Sequence, residues 1–196
     1  MSKCRTAILI SGRGSNMSAL IEAARMPDFP AQIALVASNV PGAGGLLRAQ
    51  AEGIAIETVD HKLFGRDREA FERALDHSLR AHRIELVCLA GFLRLLTPWF
   101  VNAWQGRLIN IHPALLPAFK GLDTHARALA AGVRKHGASV HHVTAGMDEG
   151  PIILQGEIAV MDNDTPDTLA KRVLDVEHKI YPRALRDVAA KLIAER

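Results

Sequence analysis

Thr6-Ala7-Ile8-Leu9-Ile10-Ser11-Gly12-Arg13-Gly14-Ser15-Asn16 is the stretch of sequence that decides the fold. A short apolar run, typical of a strand buried on both faces, leads through a glycine-rich turn into a helical segment at 16–25. Strands that are apolar on both faces are typical of parallel sheets, because helices cover both faces of such sheets. The stretch therefore predicts the opening strand–loop–helix unit of an α/β fold.

The same alternation continues along the chain. Apolar runs of strand length lie at 33–37, 54–59 and 86–90, and helix-period segments at 44–51 and 66–82 separate them. Alternating strands and helices predict a doubly wound, mostly parallel sheet of the Rossmann-like type.

The C-terminal half is less regular. Strands are predicted at 139–144 and 152–160, as an antiparallel addition to the sheet. Thr165 followed by Pro166 is typical of a helix start. We expect this last helix to run toward the C-terminus, with Pro182 kinking or splitting it.

The composition is that of an ordinary globular protein. The 196 residues suit one domain over 1–196, and 48% of them are hydrophobic and 23% charged. A net charge of +3 with only 5% aromatic residues disfavours a nucleic-acid surface and is compatible with an anionic small substrate. We expect small-molecule substrates, no nucleic-acid partner, and a monomer or a homodimer.

The two cysteines, Cys4 and Cys88, have neither zinc-ligand spacing nor the pattern of a disulfide framework, which favours a reducing, cytoplasmic environment. No apolar run reaches the length of a membrane span, and the N-terminus lacks the features of a signal peptide. The neighbouring His141 and His142 would point to opposite faces of a strand, so we expect no metal site there.

The glycine-rich turn at 11–16 predicts a phosphate site, because its backbone N–H groups can approach an anion at a helix N-terminus. A dinucleotide-binding loop is disfavoured, since Met17 stands where its third glycine would be and Ser38-Asn39 where its acidic residue would be. A nucleoside-triphosphate loop would need Gly-Lys-Ser/Thr, which the turn lacks. A single phosphate group fits best; the alternative is a tight turn with a helix cap at Ser15 or Asn16.

A candidate catalytic set begins at the end of a predicted strand at 108–111, in the stretch Asn110-Ile111-His112-Pro113. Asn110 and His112 lie two residues apart, so their side chains share one side of an extended backbone. Asp148 lies in the separate segment Gly146-Met147-Asp148-Glu149-Gly150-Pro151. This set suits acyl-type transfer. The amide can donate to an oxyanion, the imidazole can transfer a proton, and the carboxylate can orient the imidazole. The alternative is a structural histidine and a turn-stabilising aspartate.

These motifs resemble those of a known family. Asn110-Ile111-His112-Pro113 with Ala114-Leu115-Leu116-Pro117, and Met147-Asp148-Glu149-Gly150-Pro151, are similar to the signature of the folate-dependent formyltransferases. The turn at 11–16 is similar to that of the family's phosphoribosylglycinamide formyltransferase branch, and the resemblance runs from Ala7 to about Arg183. It implies transfer of the formyl group of 10-formyltetrahydrofolate, a cosubstrate, to the amine of 5-phosphoribosylglycinamide, without a metal, in de novo purine biosynthesis.

Given that reaction, each member of the catalytic set has a role. Asn110 would donate a hydrogen bond to the oxyanion of the tetrahedral intermediate. His112 would be the general acid and proton shuttle, and Asp148 would orient the imidazole and favour its charged form.

The resemblance also implies which residues bind the two substrates. Gly14, Ser15 and Asn16 would bind the phosphate of the ribonucleotide, and Glu177 its ribose hydroxyls. His141 would help to line the site. The folate would be bound by Arg68, Leu93, Arg94, Leu95, Leu96, Thr144, Ala145, Gly146 and Met147. Plainer alternatives are a surface charge for Arg68, a solvated helix position for Glu177 and core packing for the leucines.

Three other functions compete with formyl transfer. A formyltetrahydrofolate deformylase would replace the amine with water, but usually carries an extra N-terminal domain. A methionyl-tRNA formyltransferase would need a further C-terminal domain. A non-catalytic nucleotide-binding module would use the glycine turn alone, without a proton shuttle. Two positions depart from the family pattern, Ala114 in place of a common serine and Asp123 in place of a frequent histidine.

Overall fold

Seven strands form a mixed sheet in the computed structural model, which describes residues 2–196. The spatial order is β3-β2-β1-β4-β5-β6-β7. The first five strands of the chain pair in parallel, β6 is antiparallel to β5, and β7 is antiparallel to β6. The predicted doubly wound sheet with an antiparallel C-terminal addition is therefore confirmed. The strands are β1 (Cys4–Ile10), β2 (Ala31–Ser38), β3 (Ala55–Thr58), β4 (Leu86–Leu89), β5 (Leu108–His112), β6 (Lys135–His142) and β7 (Ile152–Ala159).

Helices cover both faces of the sheet. Among residues 2–196, no helix combines the length and the apolar character that crossing a membrane requires. The α-helices are α1 (Ser15–Ala24), α2 (Gly44–Ala51), α3 (Arg68–Ala81), α4 (Pro98–Ala103), α5 (Thr124–Ala130) and α6 (Pro166–Ala194), and a 3₁₀ turn spans His61–Phe64.

The core has two layers, one on each face of the sheet, and successive side chains of β5 enter different layers. Ile109 and Ile111 face the layer that contains α1, α2 and α6. Leu108 faces the opposite layer, with α3 and α4. That second layer includes no buried apolar residue of β6 or β7. Beyond Leu108, the same face of the sheet is therefore free for polar side chains.

Strand β6 and helix α6 differ from the sequence expectation. Strand β6 begins at Lys135, four residues before the predicted start, because Gly137 lets its backbone lie against the carbonyl of Gly156 on β7; an added Cβ would come within 1.9 Å of that oxygen. Helix α6 continues through Pro182, so the expected split does not occur. The predicted start of α6 is confirmed, since the Thr165 hydroxyl accepts from the Thr168 N–H.

The sheet order places a crevice between β1 and β4. The chain leaves β1 toward β2 on one side, whereas β4 lies on the other, and this reversal is where doubly wound folds bind ligands. Hydrogen bonds join the two loops there: the Ser11 N–H donates to the Gly91 carbonyl at 3.0 Å, and the Leu93 N–H to the Ser11 hydroxyl at 2.8 Å. The glycine turn and the segment after β4 therefore form one edge of the molecule.

Candidate active site

Strand β5 carries the first two residues of the predicted catalytic set. Asn110 is half-buried and His112 is only 5% exposed. Because Ile109 and Ile111 occupy the opposite face, Asn110 and His112 both lie on the face that the helices leave free. The sequence prediction that these two side chains share one side of the strand agrees with this geometry.

Both ring nitrogens of His112 meet acceptors. Nδ1 lies 3.4 Å from Oδ2 of Asp148, and Nε2 lies 2.9 Å from the carbonyl oxygen of Phe119. A carbonyl accepts only from an N–H, so Nε2 carries a hydrogen, and a proton on Nδ1 would face the carboxylate. The ring is therefore held from both of its nitrogens.

Asp148 joins two loops over β5 and β6. Its backbone is left-handed (φ 52°), a conformation that aspartate tolerates better than most residues, and its Oδ2 accepts from the Gly121 N–H at 2.9 Å. Burial acts to raise the pKa of Asp148, but contacts with His141, the Gly121 N–H and His112 outweigh it, so this pKa lies below its usual value. The carboxylate therefore stays charged at neutral pH.

His141 is a fourth member of the cluster. It lies opposite Asn110 in the β5–β6 register and is 2% exposed. Its Nδ1 donates to the carbonyl of His142 at 2.9 Å, which leaves Nε2 3.3 Å from the Asn110 amide nitrogen and 3.6 Å from Oδ1 of Asp148. Sequence resemblance implied a lining role for His141, and this stays a prediction; with Nδ1 as the donor, a neutral ring can accept from the Asn110 amide at Nε2.

A polar network under the loop after β5 was missing from the sequence prediction. The Ser139 hydroxyl donates to the Ala114 carbonyl at 2.6 Å and accepts from the Leu116 N–H at 3.0 Å. The Gln155 amide donates to Ser139 at 2.7 Å and to the Leu116 carbonyl at 2.9 Å. The available signal was alternation along β6, which puts Ser139 on the same face as His141. The network holds the loop that begins at His112.

The glycine turn leaves the start of α1 open. Gly14 is the residue before the helix, with φ 71°, and no side chain caps the helix. The alternative of a cap by Ser15 or Asn16 is therefore wrong. Uncapped N–H groups in the first turn of a helix are donors for an anion. Asn16 instead turns its side chain to Glu177 of α6, donating to Oε2 at 2.5 Å.

Sequence and structure comparisons agree on the family. The profile of the formyl transferase family matches residues 4–185. This chain belongs to the formyl transferase family. The phosphoribosylglycinamide formyltransferase of Escherichia coli (strain K12) is 45% identical over 175 residues, covering 89% of this chain and 82% of that protein. A crystal structure of phosphoribosylglycinamide formyltransferase from Brucella melitensis is 49% identical, with a TM-score of 0.92 and 96% coverage of both chains.

A longer relative is also similar. The human trifunctional purine biosynthetic protein adenosine-3 is 47% identical over 188 residues, which cover 96% of this chain and 18% of that protein. The chain thus spans less than a fifth of the length of this relative.

The resemblance to formyl transferases assigns two segments to folate binding, Leu93 to Leu96 and Thr144 to Met147. Leu93, Leu95 and Met147 are exposed apolar side chains, 78%, 59% and 50% exposed respectively. Leu96 instead packs against the core layer of α3 and α4, and the Arg94 guanidinium lies 5.3 Å from the ring centre of Phe71. Thr144 and Ala145 are exposed, and Gly146 is half-buried.

Arg68 and Glu177 differ in how far their surroundings support the predicted roles. Arg68 is an exposed residue at the first position of α3, and its substrate contact stays a prediction. Glu177 is 8% exposed, so the alternative of a solvated helix position is wrong. No group of three or more His, Cys, Asp or Glu placed to hold a metal ion occurs in the described part of the chain.

Proposed function

We propose that this protein transfers the formyl group of 10-formyltetrahydrofolate to the amine of 5-phosphoribosylglycinamide, giving formylglycinamide ribonucleotide and tetrahydrofolate in de novo purine biosynthesis. One observation carries the proposal: Asp148, from a separate segment of the chain, meets Asn110 and His112 of β5 in one cluster completed by His141. The names of its relatives support the choice of substrates. We also propose a cytoplasmic protein, as expected from its two unpaired cysteines.

The cluster meets the needs of formyl transfer. Attack of an amine on a formyl carbon places negative charge on the formyl oxygen. The Asn110 amide, held at its nitrogen by His141, can donate its other N–H to that oxygen. Loss of one such donor typically costs on the order of 100- to 1000-fold in turnover.

Proton transfer falls to His112. The departing nitrogen needs a proton, and the attacking amine loses one. His112, with Asp148 beside Nδ1, can give a proton to the departing nitrogen. It can then take up the proton that the attacking amine loses. The ionised carboxylate keeps the ring oriented, and it stabilises the positive charge whenever the ring carries both protons.

Separate sets of residues would bind the two substrates. The open start of α1 suits a phosphate, and the buried Glu177 beside it suits sugar hydroxyls. The exposed Leu93, Leu95 and Met147 offer an apolar surface that fits a flat aromatic ligand such as the pterin of a folate.

An amine-dependence assay tests the proposal. Purified protein should consume 10-formyltetrahydrofolate only when 5-phosphoribosylglycinamide is present. The same rate without the amine would instead indicate a deformylase, with water as the acceptor.

A substitution of the proton shuttle gives the matched test. His112→Ala should lower kcat by about 100- to 10,000-fold, because general acid catalysis is lost. His77→Ala, at an exposed position on α3, is the control and should keep the wild-type rate. An undiminished rate for folded His112→Ala would refute the assignment.

A further inference from the structure

Asn39, the first residue after β2, turns its side chain toward the glycine turn. It is 3% exposed, and its Oδ1 accepts from the Ser11 hydroxyl at 2.6 Å. That distance is typical of an O–H···O hydrogen bond and short for N–H···O, so the oxygen of the amide faces Ser11. On its other side, Nδ1 of His61 lies 2.7 Å from the Asn39 carbonyl oxygen. Asn39 is therefore held between Ser11 and His61.

The contact with Asn39 sets the direction of a second hydrogen bond. An amide oxygen only accepts, so the Ser11 hydroxyl gives its single hydrogen to Asn39. The lone pairs of the hydroxyl then remain for the Leu93 N–H, which donates to it at 2.8 Å. Because a hydroxyl without such a partner can rotate, Asn39 determines that Ser11 acts as an acceptor toward Leu93.

This row of hydrogen bonds crosses the ends of three neighbouring strands. Asn39 follows β2, Ser11 follows β1, and Leu93 lies in the segment after β4; these strands are adjacent in the sheet. A dinucleotide-binding fold has, at the end of its second strand, an acidic residue that binds a ribose hydroxyl. In this chain the side chain at that place bonds to the protein itself, and the row ends at the backbone of the segment that would bind the folate.

That segment has little else to hold it. Leu93 and Leu95 are exposed, so packing does not fix their positions. Two hydrogen bonds tie the segment to the end of β1, one from the Leu93 N–H to the Ser11 hydroxyl and one from the Ser11 N–H to the Gly91 carbonyl at 3.0 Å. A segment that is ordered before its ligand arrives binds more tightly, because less conformational freedom is lost on binding.

We propose that Asn39 is a positioning residue for the folate cosubstrate. Through the Ser11 hydroxyl it holds the backbone of Leu93, and thereby the exposed apolar surface on which the folate would bind. The inference rests on the proposed function for the identity of this ligand. It adds to the site a buried residue that acts only through Ser11 and Leu93.

Titration calorimetry with tetrahydrofolate alone tests this without any need for turnover. Asn39→Leu nearly keeps the side-chain volume but removes the acceptor, so Kd should rise about 3- to 10-fold, as expected when one hydrogen bond no longer holds the segment. Ser38→Ala is the matched control. It removes a neighbouring buried hydroxyl that bonds only to the carbonyl and the N–H of Val40, and Kd should change by less than about 2-fold.

Three further measurements separate positioning from general damage. Ser11→Ala should raise Kd by a similar factor, and the double variant should bind no more weakly than Ser11→Ala alone, since the two residues act as a unit. Hydrogen exchange of the Leu93 amide, followed by NMR, should be faster in Asn39→Leu and unchanged in Ser38→Ala. In turnover, Asn39→Leu should raise KM for 10-formyltetrahydrofolate about 3- to 10-fold and change kcat and the KM for the ribonucleotide by less than about 2-fold.

The outcomes distinguish this inference from the proposed function. Unchanged tetrahydrofolate affinity in folded Asn39→Leu, or an equal loss in Ser38→Ala, would overturn the inference even if formyl transfer were demonstrated. A loss confined to Asn39→Leu and Ser11→Ala, in a protein that consumes 10-formyltetrahydrofolate without the amine, would support the inference and reject the proposed reaction. A wild-type protein that binds no tetrahydrofolate would overturn both.

Discussion

At the scale of single residues, the left-handed backbone of Asp148 determines which substitution tests its charge. Asparagine tolerates that conformation, and its amide oxygen can still accept from the Gly121 N–H. Asp148→Asn should therefore fold normally but lower kcat by roughly 100- to 10,000-fold, because the carboxylate beside Nδ1 of His112 is lost. Steady-state kinetics with a thermal melt would measure both effects.

Glu149→Gln is the matched control for that substitution. It neutralises the next carboxylate along the chain, which is exposed and pairs with Lys120. We expect nearly wild-type turnover from this variant. Equal losses in the two variants would mean that the charge of Asp148 has no special role.

His141 offers a second test at this scale. His141→Ala frees the Asn110 amide to rotate, so we expect kcat to fall about 10-fold, less than the 100- to 1000-fold loss for Asn110→Ala. If His141 acts on the oxyanion only through Asn110, the double variant should be no slower than Asn110→Ala alone. Additive losses, measured as kcat at saturating substrates, would indicate that His141 acts independently of Asn110.

At the scale of elements, Gly150 sets how closely the loop of Asp148 approaches β6. A Cβ at this position would lie 1.6 Å from the carbonyl oxygen of His142, so the backbone must shift. Gly150→Ala should lower the free energy of unfolding by about 1–3 kcal/mol, and it should lower kcat because Asp148 moves away from His112.

Gly44→Ala is the corresponding control. A Cβ added to Gly44, at the start of α2, would have open space around it, with no atom within 4 Å. Urea denaturation and kinetics of the two variants should therefore differ clearly. Wild-type activity in Gly150→Ala would show that the loop can shift without displacing the carboxylate.

At the scale of the whole molecule, a pair of neutral histidines limits stability in acid. His136 is 1% exposed, its Nε2 lies 3.2 Å from Nδ1 of His125, and its ring packs edge-on against Phe119. Burial, together with the nearby His125 and His112, lowers the pKa of His136 from 6.5 to about 4. The unfolded chain therefore binds a proton that the folded protein excludes.

Stability should consequently fall with pH on the acid side of neutrality. The contribution of His136 to stability is fully present above pH 6.5 and is lost as the pH falls toward 4. We expect the free energy of unfolding to drop by about 1–3 kcal/mol over this range and His136→Gln to show a smaller drop. Urea denaturation at several pH values would check this, with the exposed His77→Gln as control; identical slopes for all three proteins would contradict it.

Much of this architecture was predictable because it depends on local patterns. Apolar runs such as Thr6–Ile10 identified the buried strands, and alternation put Asn110 and His112 on one side of β5. The contacts that complete the site depend on loops instead. Nothing in the sequence spacing shows that the Gly121 N–H meets Asp148, or that His141 pairs with Asn110 across two antiparallel strands. The start of β6 was also misplaced, because glycine lowers strand propensity although the close approach to β7 requires Gly137.

The two faces of β5 make its length as important as its composition. Each residue that enters the apolar layer, such as Ile109 or Ile111, is followed by one that enters the catalytic cluster. Inserting one amino acid before Asn110 would move each following side chain to the other face of the sheet. The amide and the imidazole would then enter the apolar layer, and Ile111 would leave it. Natural variation in this segment must therefore proceed by replacement, since neither a deletion nor an insertion of one residue preserves both the interior and the chemistry.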